Sequence, residues 1–233
     1  SDSLSKKDKQ KSKYTAKLKL SNRQKDDIIS AISHEFKNPI AVISGYSQTL
    51  LDDKDLNANI RDKFLEKIFS NSEKLTNMID RLRLSIKLEE GKQPHSFTKT
   101  NLTNVTKHII DDLKVTYPSR EITIIGNDVS KDVDETMMNI AITNLIENAL
   151  KYSEDAITIN ITKKKLSVID TGIGVNDKDI SKLTEKFYRV SNNGWNNSMG
   201  VGLSLVSNIL NIHSFSLDIQ SVEQEGSTFT IVF

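Results

Sequence analysis

Asn144-Leu145-Ile146-Glu147-Asn148-Ala149-Leu150-Lys151-Tyr152-Ser153 closes a helical pattern that opens near Asp134. Met138, Ala141, Leu145 and Ala149 form one apolar stripe. Asn144, Asn148, Lys151 and Tyr152 fall at i, i+4, i+7 and i+8, so they share the neighbouring face. Two amides and a lysine in that array can hold a hydrated cation and a polyphosphate, because magnesium prefers oxygen ligands and keeps several waters. A merely solvated polar face has the same spacing.

Beyond this helix, residues 156–162 alternate through Ile157, Ile159 and Ile161, and the pattern returns over 166–170 after three lysines, predicting a hairpin. Asp170-Thr171-Gly172-Ile173-Gly174 follows directly. A carboxylate there can accept a hydrogen bond from an exocyclic amine, and glycines let a planar base approach the backbone. An ordinary glycine turn reads the same way. Lys186-Phe187-Tyr188-Arg189 brings aromatic rings beside a guanidinium suited to phosphate. Gly200-Val201-Gly202-Leu203 opens a helix to about 211, whose first amides can cradle phosphate. A helix over 102–114 and strands over 122–125, 215–221 and 227–233 complete the expected α+β sandwich, with helices on one face of a mixed sheet. Residues 191–199, with four asparagines, Gly194 and Trp195, are expected to form a mobile lid.

The N-terminal half is built differently. Ile28, Ile32, Phe36, Ile40, Ile43 and Leu50 recur at helical spacing. After a polar break over 52–59, Leu65, Ile68, Leu75, Ile79, Leu82 and Ile86 form a heptad seam that Phe64, Phe69 and Met78 widen. One helical hairpin cannot cover so broad a face, whereas two chains pairing into a four-helix bundle can. Gly91 and Pro94 end this part. His34 lies two residues from both Ile32 and Phe36 and so faces away from the stripe, with Asn38 one turn further on. Pro39 sits inside the helical pattern, where a proline costs about 3 kcal/mol. A neutral imidazole is a nucleophile near neutral pH, and the adjacent Glu35 can orient the ring and take its proton. On their own these residues read first as a solvent-facing histidine with an incidental neighbour.

Ser33-His34-Glu35-Phe36-Lys37-Asn38-Pro39-Ile40 closely resembles the phosphoacceptor motif of bacterial two-component sensor histidine kinases, with Phe36-Lys37 replacing the more usual Leu-Arg. Asn144 to Ala149 with Lys151-Tyr152-Ser153 resembles the N box of the gyrase-type (Bergerat) ATP-binding fold. Asp170 to Gly174 is similar to its first glycine box, Phe187 to Arg189 to its F box, and Gly200 to Leu203 to its second glycine box. The resemblance implies that ATP donates a phosphoryl group to His34, with Glu35 as the adjacent base. Asn148 would coordinate Mg2+ with Asn144 in support, and Lys151 would meet phosphate. Tyr152 would lie by the adenine, Asp170 would bind its amino group, and Arg189 would contact the γ-phosphate. Gly172, Gly174, Phe187, Gly200, Val201, Gly202 and Leu203 would complete the nucleotide site. It further implies a homodimer, transfer to an aspartate of a response-regulator receiver domain, and a part for Asn38 in dephosphorylating that partner. Ser204 departs from a common third glycine, Met199 from a small residue, and Ser214-Phe215 from Gly-Gly.

Composition narrows the alternatives. Basic and acidic side chains number 32 and 31 and aromatics are 6%, which speaks against a nucleic-acid surface. The absence of cysteine removes disulfides, thiolate zinc sites and cysteine nucleophiles. No apolar run approaches the ~20 residues that cross a bilayer, so membrane contact is expected only through a segment outside this chain. Seven lysines in the first 19 residues read first as a solvated, partly helical basic lead-in and, as the alternative, as a juxtamembrane stretch. The expected organisation is a lead-in over 1–22, a dimerising phosphotransfer hairpin over 23–93 and an ATP-binding domain over 94–233, the cytoplasmic portion of a membrane-anchored sensor. The alternatives are a Bergerat-fold ATPase driving a clamp, which commonly carries a glutamate base at the position of Asn144, and a nucleotide-binding dimeric scaffold. Intact Asn148, Asp170, Gly200 and Gly202 argue against the scaffold.

Overall fold

A computed structural model describes residues 29–30, 32–190 and 200–233. The expected lead-in over 1–22, the start of the first helix and the expected lid over 191–199 lie outside the described residues. The chain divides into two compact units, with the division between Met78 and Ile79. Among the described residues no helix is long and apolar enough to cross a membrane.

The first unit holds helix α1, described as helical at 29–30 and 32–52, and most of α2 (Ala58–Glu89). In the connection, Asp53 Oδ1 accepts from the Asp55 N–H at 3.1 Å and Asn57 Oδ1 accepts from the Asn59 N–H at 2.9 Å. The Asn57 bond satisfies one of the donors that a helix start leaves open. The rings of Tyr46 and Phe64 pack at 4.6 Å across the hairpin. Helix α1 runs unbroken through Pro39, whose side chain is buried. Helix α2 is 32 residues long and is followed by Gly91 in the left-handed conformation, with the Lys92 N–H donating back to Lys87 O at 3.0 Å.

The second unit is an α+β sandwich. Its main sheet has the order β2(Ile122–Gly126)-β4(Ile157–Ile161)-β5(Lys165–Asp170)-β7(Gly226–Val232)-β6(Ser216–Val222). Strand β2 pairs parallel with β4, and every other neighbour is antiparallel, so the sheet is mixed as expected. Helices α3 (Leu102–Thr116), α4 (Glu135–Tyr152) and α6 (Gly202–Ile212) supply the apolar layer against it. The alternation along β4 sends Ile157, Ile159 and Ile161 into this core. Helix α4 meets them with Met138, Ile142, Leu145 and Ile146, and α6 with Leu205, Ile209 and Leu210.

Helix starts are capped by the short polar side chains that precede them. Asn101 Oδ1 accepts from the Asn104 N–H for α3, and Asp134 Oδ1 from the Met137 N–H at 2.9 Å for α4. Burial pulls the Asp134 carboxyl upward, but the N–H groups of Met137 and Ser96 outweigh it and leave it below the usual carboxylate range. His213 is buried and joins two helices. Its Nε2 accepts from the Asp134 N–H at 3.0 Å while Nδ1 lies 2.7 Å from Ile209 O. That pairing assigns the proton of the neutral ring to Nδ1. Ser214 follows with a φ of 57°, the left-handed conformation that explains why glycine is at home in this place.

Two features differ from expectation. Strands β1 (Thr98–Asn101) and β3 (Ser130–Val133) form a separate antiparallel pair. A four-residue helix, α5 (Asp177–Ile180), stands between β5 and α6.

Candidate nucleotide and phosphoacceptor sites

The histidine-bearing site lies on α1 in the first unit. His34, Lys37 and Asn38 are exposed, Ile32 and Phe36 half-buried, and Glu35 buried. The periodicity argument therefore places His34 and Asn38 on an accessible face, one helical turn apart.

The second unit gathers four stretches that are far apart in sequence. Helix α4 presents Asn144, which is buried, beside the half-buried Asn148, Lys151 and Tyr152. The Asn144 amide donates to Ile140 O at 2.7 Å, which aims Oδ1 away from the helix axis. Gly202, in the first turn of α6, lies so close that a Cβ there would stand 3.0 Å from Asn144 Oδ1. A side chain at 202 would therefore crowd the Asn144 amide and make it give way. Val201 is buried at the cap of α6, Leu203 is half-buried, and Ser204 Oγ donates to Val201 O at 2.8 Å, so serine serves in place of a third glycine.

The loop after β5 presses on the end of α4. A Cβ at Gly172 would stand 2.1 Å from Tyr152 O, and the Ile173 N–H donates to that same carbonyl at 3.1 Å. This approach is open to glycine alone. Asp170 is buried with Oδ1 accepting from the Gly172 N–H at 2.9 Å. Burial pushes its carboxyl above the ordinary range, against the N–H groups of Gly172 and Ser227. Gly174 takes a positive φ as the loop turns. Phe187 also has a positive φ, and its N–H donates to Gly200 O at 2.8 Å, joining the F-box stretch to the α6 entrance. Arg189 follows, half-buried. The Tyr188 hydroxyl donates to Asp179 Oδ1 at 2.6 Å, and that bond holds its phenol proton up to about 12.

Lys151 decides what this cradle suits. Its Nζ is buried, has no hydrogen-bond partner among the described residues and sits 5.0 Å over the Tyr152 ring. A buried ammonium lacking an acceptor is costly, and a phosphate oxygen would satisfy it. Among the described residues no cluster of three or more His, Cys, Asp or Glu is present. A cation here would be held by the Asn148 amide oxygen with phosphate and water oxygens, a donor set that fits magnesium.

Sequence reasoning missed the contacts that reach this cradle from α2. Arg81 Nη2 meets Glu147 Oε2 at 2.6 Å and Nη1 reaches Asn144 Oδ1 at 3.3 Å. Glu89 pairs with Lys186 at 2.6 Å. It also missed Arg120, whose guanidinium donates to Leu150 O, Ser153 O and Asp155 O and so closes the end of α4. No local pattern marks these residues, because each partner lies 30 or more positions away.

Comparison with known proteins agrees with both units. Residues 24–91 match the His Kinase A (phospho-acceptor) domain, and residues 133–233 match the histidine kinase-, DNA gyrase B-, and HSP90-like ATPase family. The phosphate regulon sensor protein PhoR of Pseudomonas aeruginosa is 33% identical over 223 residues, which is 91% of this chain and 50% of the relative. The sensor-like histidine kinase SenX3 of Mycolicibacterium smegmatis is 27% identical over 88% of this chain and 56% of its own length. The chain thus spans about half the length of the curated relatives it matches. Among solved structures, the histidine kinase AdeS of Acinetobacter baumannii shares the fold with a TM-score of 0.65 at 19% identity, covering 86% of this chain and 96% of that one. ShkA, solved in complex with AMPPNP, does so at 0.63 and 18%, covering 87% of this chain and 44% of its own. Carrying a phospho-acceptor domain followed by an ATPase domain of this type, the chain belongs to the two-component sensor histidine kinases.

Proposed function

We propose that this chain phosphorylates its own His34 from ATP and passes the phosphoryl group to an aspartate of a response-regulator receiver domain. The observation that carries the nucleotide half is the buried Lys151 Nζ, without a hydrogen-bond partner among the described residues, on the helix that also carries Asn144 and Asn148. For the acceptor half, support comes from the exposure of His34 beside Glu35 and from the match to a phospho-acceptor domain.

In this reading Tyr152 flanks the adenine, Asp170 accepts its amino proton, and Lys151 and Arg189 meet the phosphates. Asn148, supported by Asn144, would hold Mg2+, whose charge would offset that of the triphosphate. A ring nitrogen of His34 attacks the γ-phosphorus. The P–N bond forms as the bond to the β-phosphate oxygen breaks, ADP leaves, and Glu35 takes the ring proton. Transfer and positioning need little else from the protein.

Asn38 lies one turn from His34 on the accessible face, and its amide suits orienting a water against a phosphorylated aspartate. We assign it to dephosphorylation of the partner. The chain is read as a homodimer through α1 and α2, with a lead-in over 1–22, a phosphotransfer hairpin over 23–93 and an ATP-binding domain over 94–233. Its match to about half the length of sensor proteins supports placing it as the cytoplasmic portion of a membrane-anchored sensor.

The test is incubation with γ-labelled ATP and Mg2+. The parent should acquire label that acid removes and alkali spares, as for a phosphohistidine. His34→Ala should acquire none while keeping its ATP affinity within a few-fold. Labelling of that variant would sink the assignment.

A further inference from the structure

The loop carrying Asp170, Gly172 and Gly174 is held from behind by the hairpin of β6 and β7. The Val175 N–H donates to Ser221 Oγ at 2.8 Å. Ser221 Oγ in turn donates to Gly226 O at 2.9 Å. Ser227 Oγ lies 2.9 Å from Ser221 Oγ, and because the Ser221 proton is committed to Gly226, Ser227 is the donor. The Ser221 hydroxyl is then saturated, with one bond given and two received. Ser227 also reaches the front of the loop, since it faces Asp170 in the β5–β7 register and its backbone N–H draws the Asp170 carboxyl downward. One continuous network therefore joins the far end of the loop at Val175 to the carboxylate at its near end. The Gln224 N–H adds a bond to Ile173 O at 2.8 Å, on the opposite side of the residue that meets Tyr152 O.

The hairpin does not need this hydroxyl for its own integrity. Strands β6 and β7 are registered from Ser216↔Val232 to Val222↔Gly226, and that ladder is made by backbone groups. Beyond its own bond to Gly226 O, the hydroxyl adds the tie to Val175 and the seat for Ser227. Removing it would leave the half-buried Val175 N–H without its acceptor and the buried Ser227 hydroxyl without its partner, places where such losses are felt.

We propose that Ser221 is a positioning residue for adenine recognition, fixing the loop of Gly172 to Val175 and, through Ser227, the Asp170 carboxylate that reads the base. The proposal rests on the reading of this cradle as an ATP site. Ser221 touches no substrate atom. It acts by keeping a buried carboxylate and a glycine-rich backbone in one arrangement, which lowers the ordering that binding must supply.

The test compares the full chain with Ser221→Ala and Ser221→Thr, using Mg2+ with ADP or with inosine diphosphate, whose base lacks the exocyclic amine. Calorimetry should show Ser221→Ala binding ADP about five-fold or more weakly, the size of one lost hydrogen bond. Inosine diphosphate should bind the parent and this variant alike. Ser221→Thr, which restores the hydroxyl, should bind ADP as the parent does. At saturating ATP the self-phosphorylation rate of Ser221→Ala should stay within about two-fold of the parent, its half-saturating ATP concentration alone rising. The proposal is overturned by unchanged ADP affinity in Ser221→Ala, by equal weakening of both nucleotides, or by a Ser221→Thr as weak as the alanine variant. Failure of the parent to bind ADP at all would instead sink the ATP-site reading and take the proposal with it.

Discussion

The two units treat their large apolar side chains in opposite ways. In the second, Leu145, Ile157, Ile159, Ile161 and Leu205 are wholly buried. In the helices of the first, Leu65 is 50% and Phe69 64% exposed. A folded unit of the first kind is complete by itself. One of the second kind displays a stripe that a further surface must cover, since soluble proteins seldom leave so much contiguous apolar surface in water. The heptad spacing of that stripe makes a second copy of the same hairpin the natural cover.

The contrast breaks most visibly under charge. Leu65→Asp combined with Phe69→Asp should convert a dimer into a monomer in sedimentation at micromolar concentration, while ADP affinity stays at the parent value. A dimer that survives both substitutions would remove the hairpin as the interface. Next in size is the interior of the second unit, where Leu145→Ala should cost about 3–4 kcal/mol in a denaturant titration. A loss below about 1 kcal/mol would mean that the core collapses around the vacancy.

Asp134→Ala should cost about 1–2 kcal/mol through the lost cap of α4. Since the folded state holds this carboxyl below its usual range, its contribution is present above the unfolded pKa and disappears as pH falls through the lower folded value. Parent and variant should therefore differ at pH 7 and converge in acid, and a constant gap across that range would rule out the ionised cap. Arg81→Ala should be smallest, about 0.5–1 kcal/mol, because both partners of the Glu147 pair are over a third exposed. A charge-reversed pair, Arg81→Glu with Glu147→Arg, should recover part of the loss, and failure to do so would reduce the contact to geometry without energy.

Much of this could be read from residues in order. The stripe of Met138, Ala141, Leu145 and Ala149 gives α4, and the alternation of Ile157, Ile159 and Ile161 gives β4, because each period matches a local backbone repeat. Gly172 was legible as a place where a base could approach the backbone, but not its packing on Tyr152 O, nor that of Gly202 on Asn144. Thr98–Asn101 and Ser130–Val133 were not legible as strands, being four residues each and mostly polar, with register set by a partner far along the chain. Arg81, Arg120 and Ser221 escaped for the same reason. Their roles lie in whom they meet, and arginine and serine at a surface look alike whether or not they are met.

Strand β2 carries a consequence for synthesis. Its one neighbour in the sheet is β4, and Ile122 must wait for Ile157, 35 residues later by the paired register, before it can be covered. Parallel pairing across such a separation is slow to form, whereas β4 with β5 and β6 with β7 join across short turns. As the polypeptide leaves the ribosome, Ile122, Ile124 and Ile125 therefore stand open as an unpaired edge while α4 is still being made. In that interval nascent chains of this protein are open to mispairing with one another, and chaperone contact has an edge to protect.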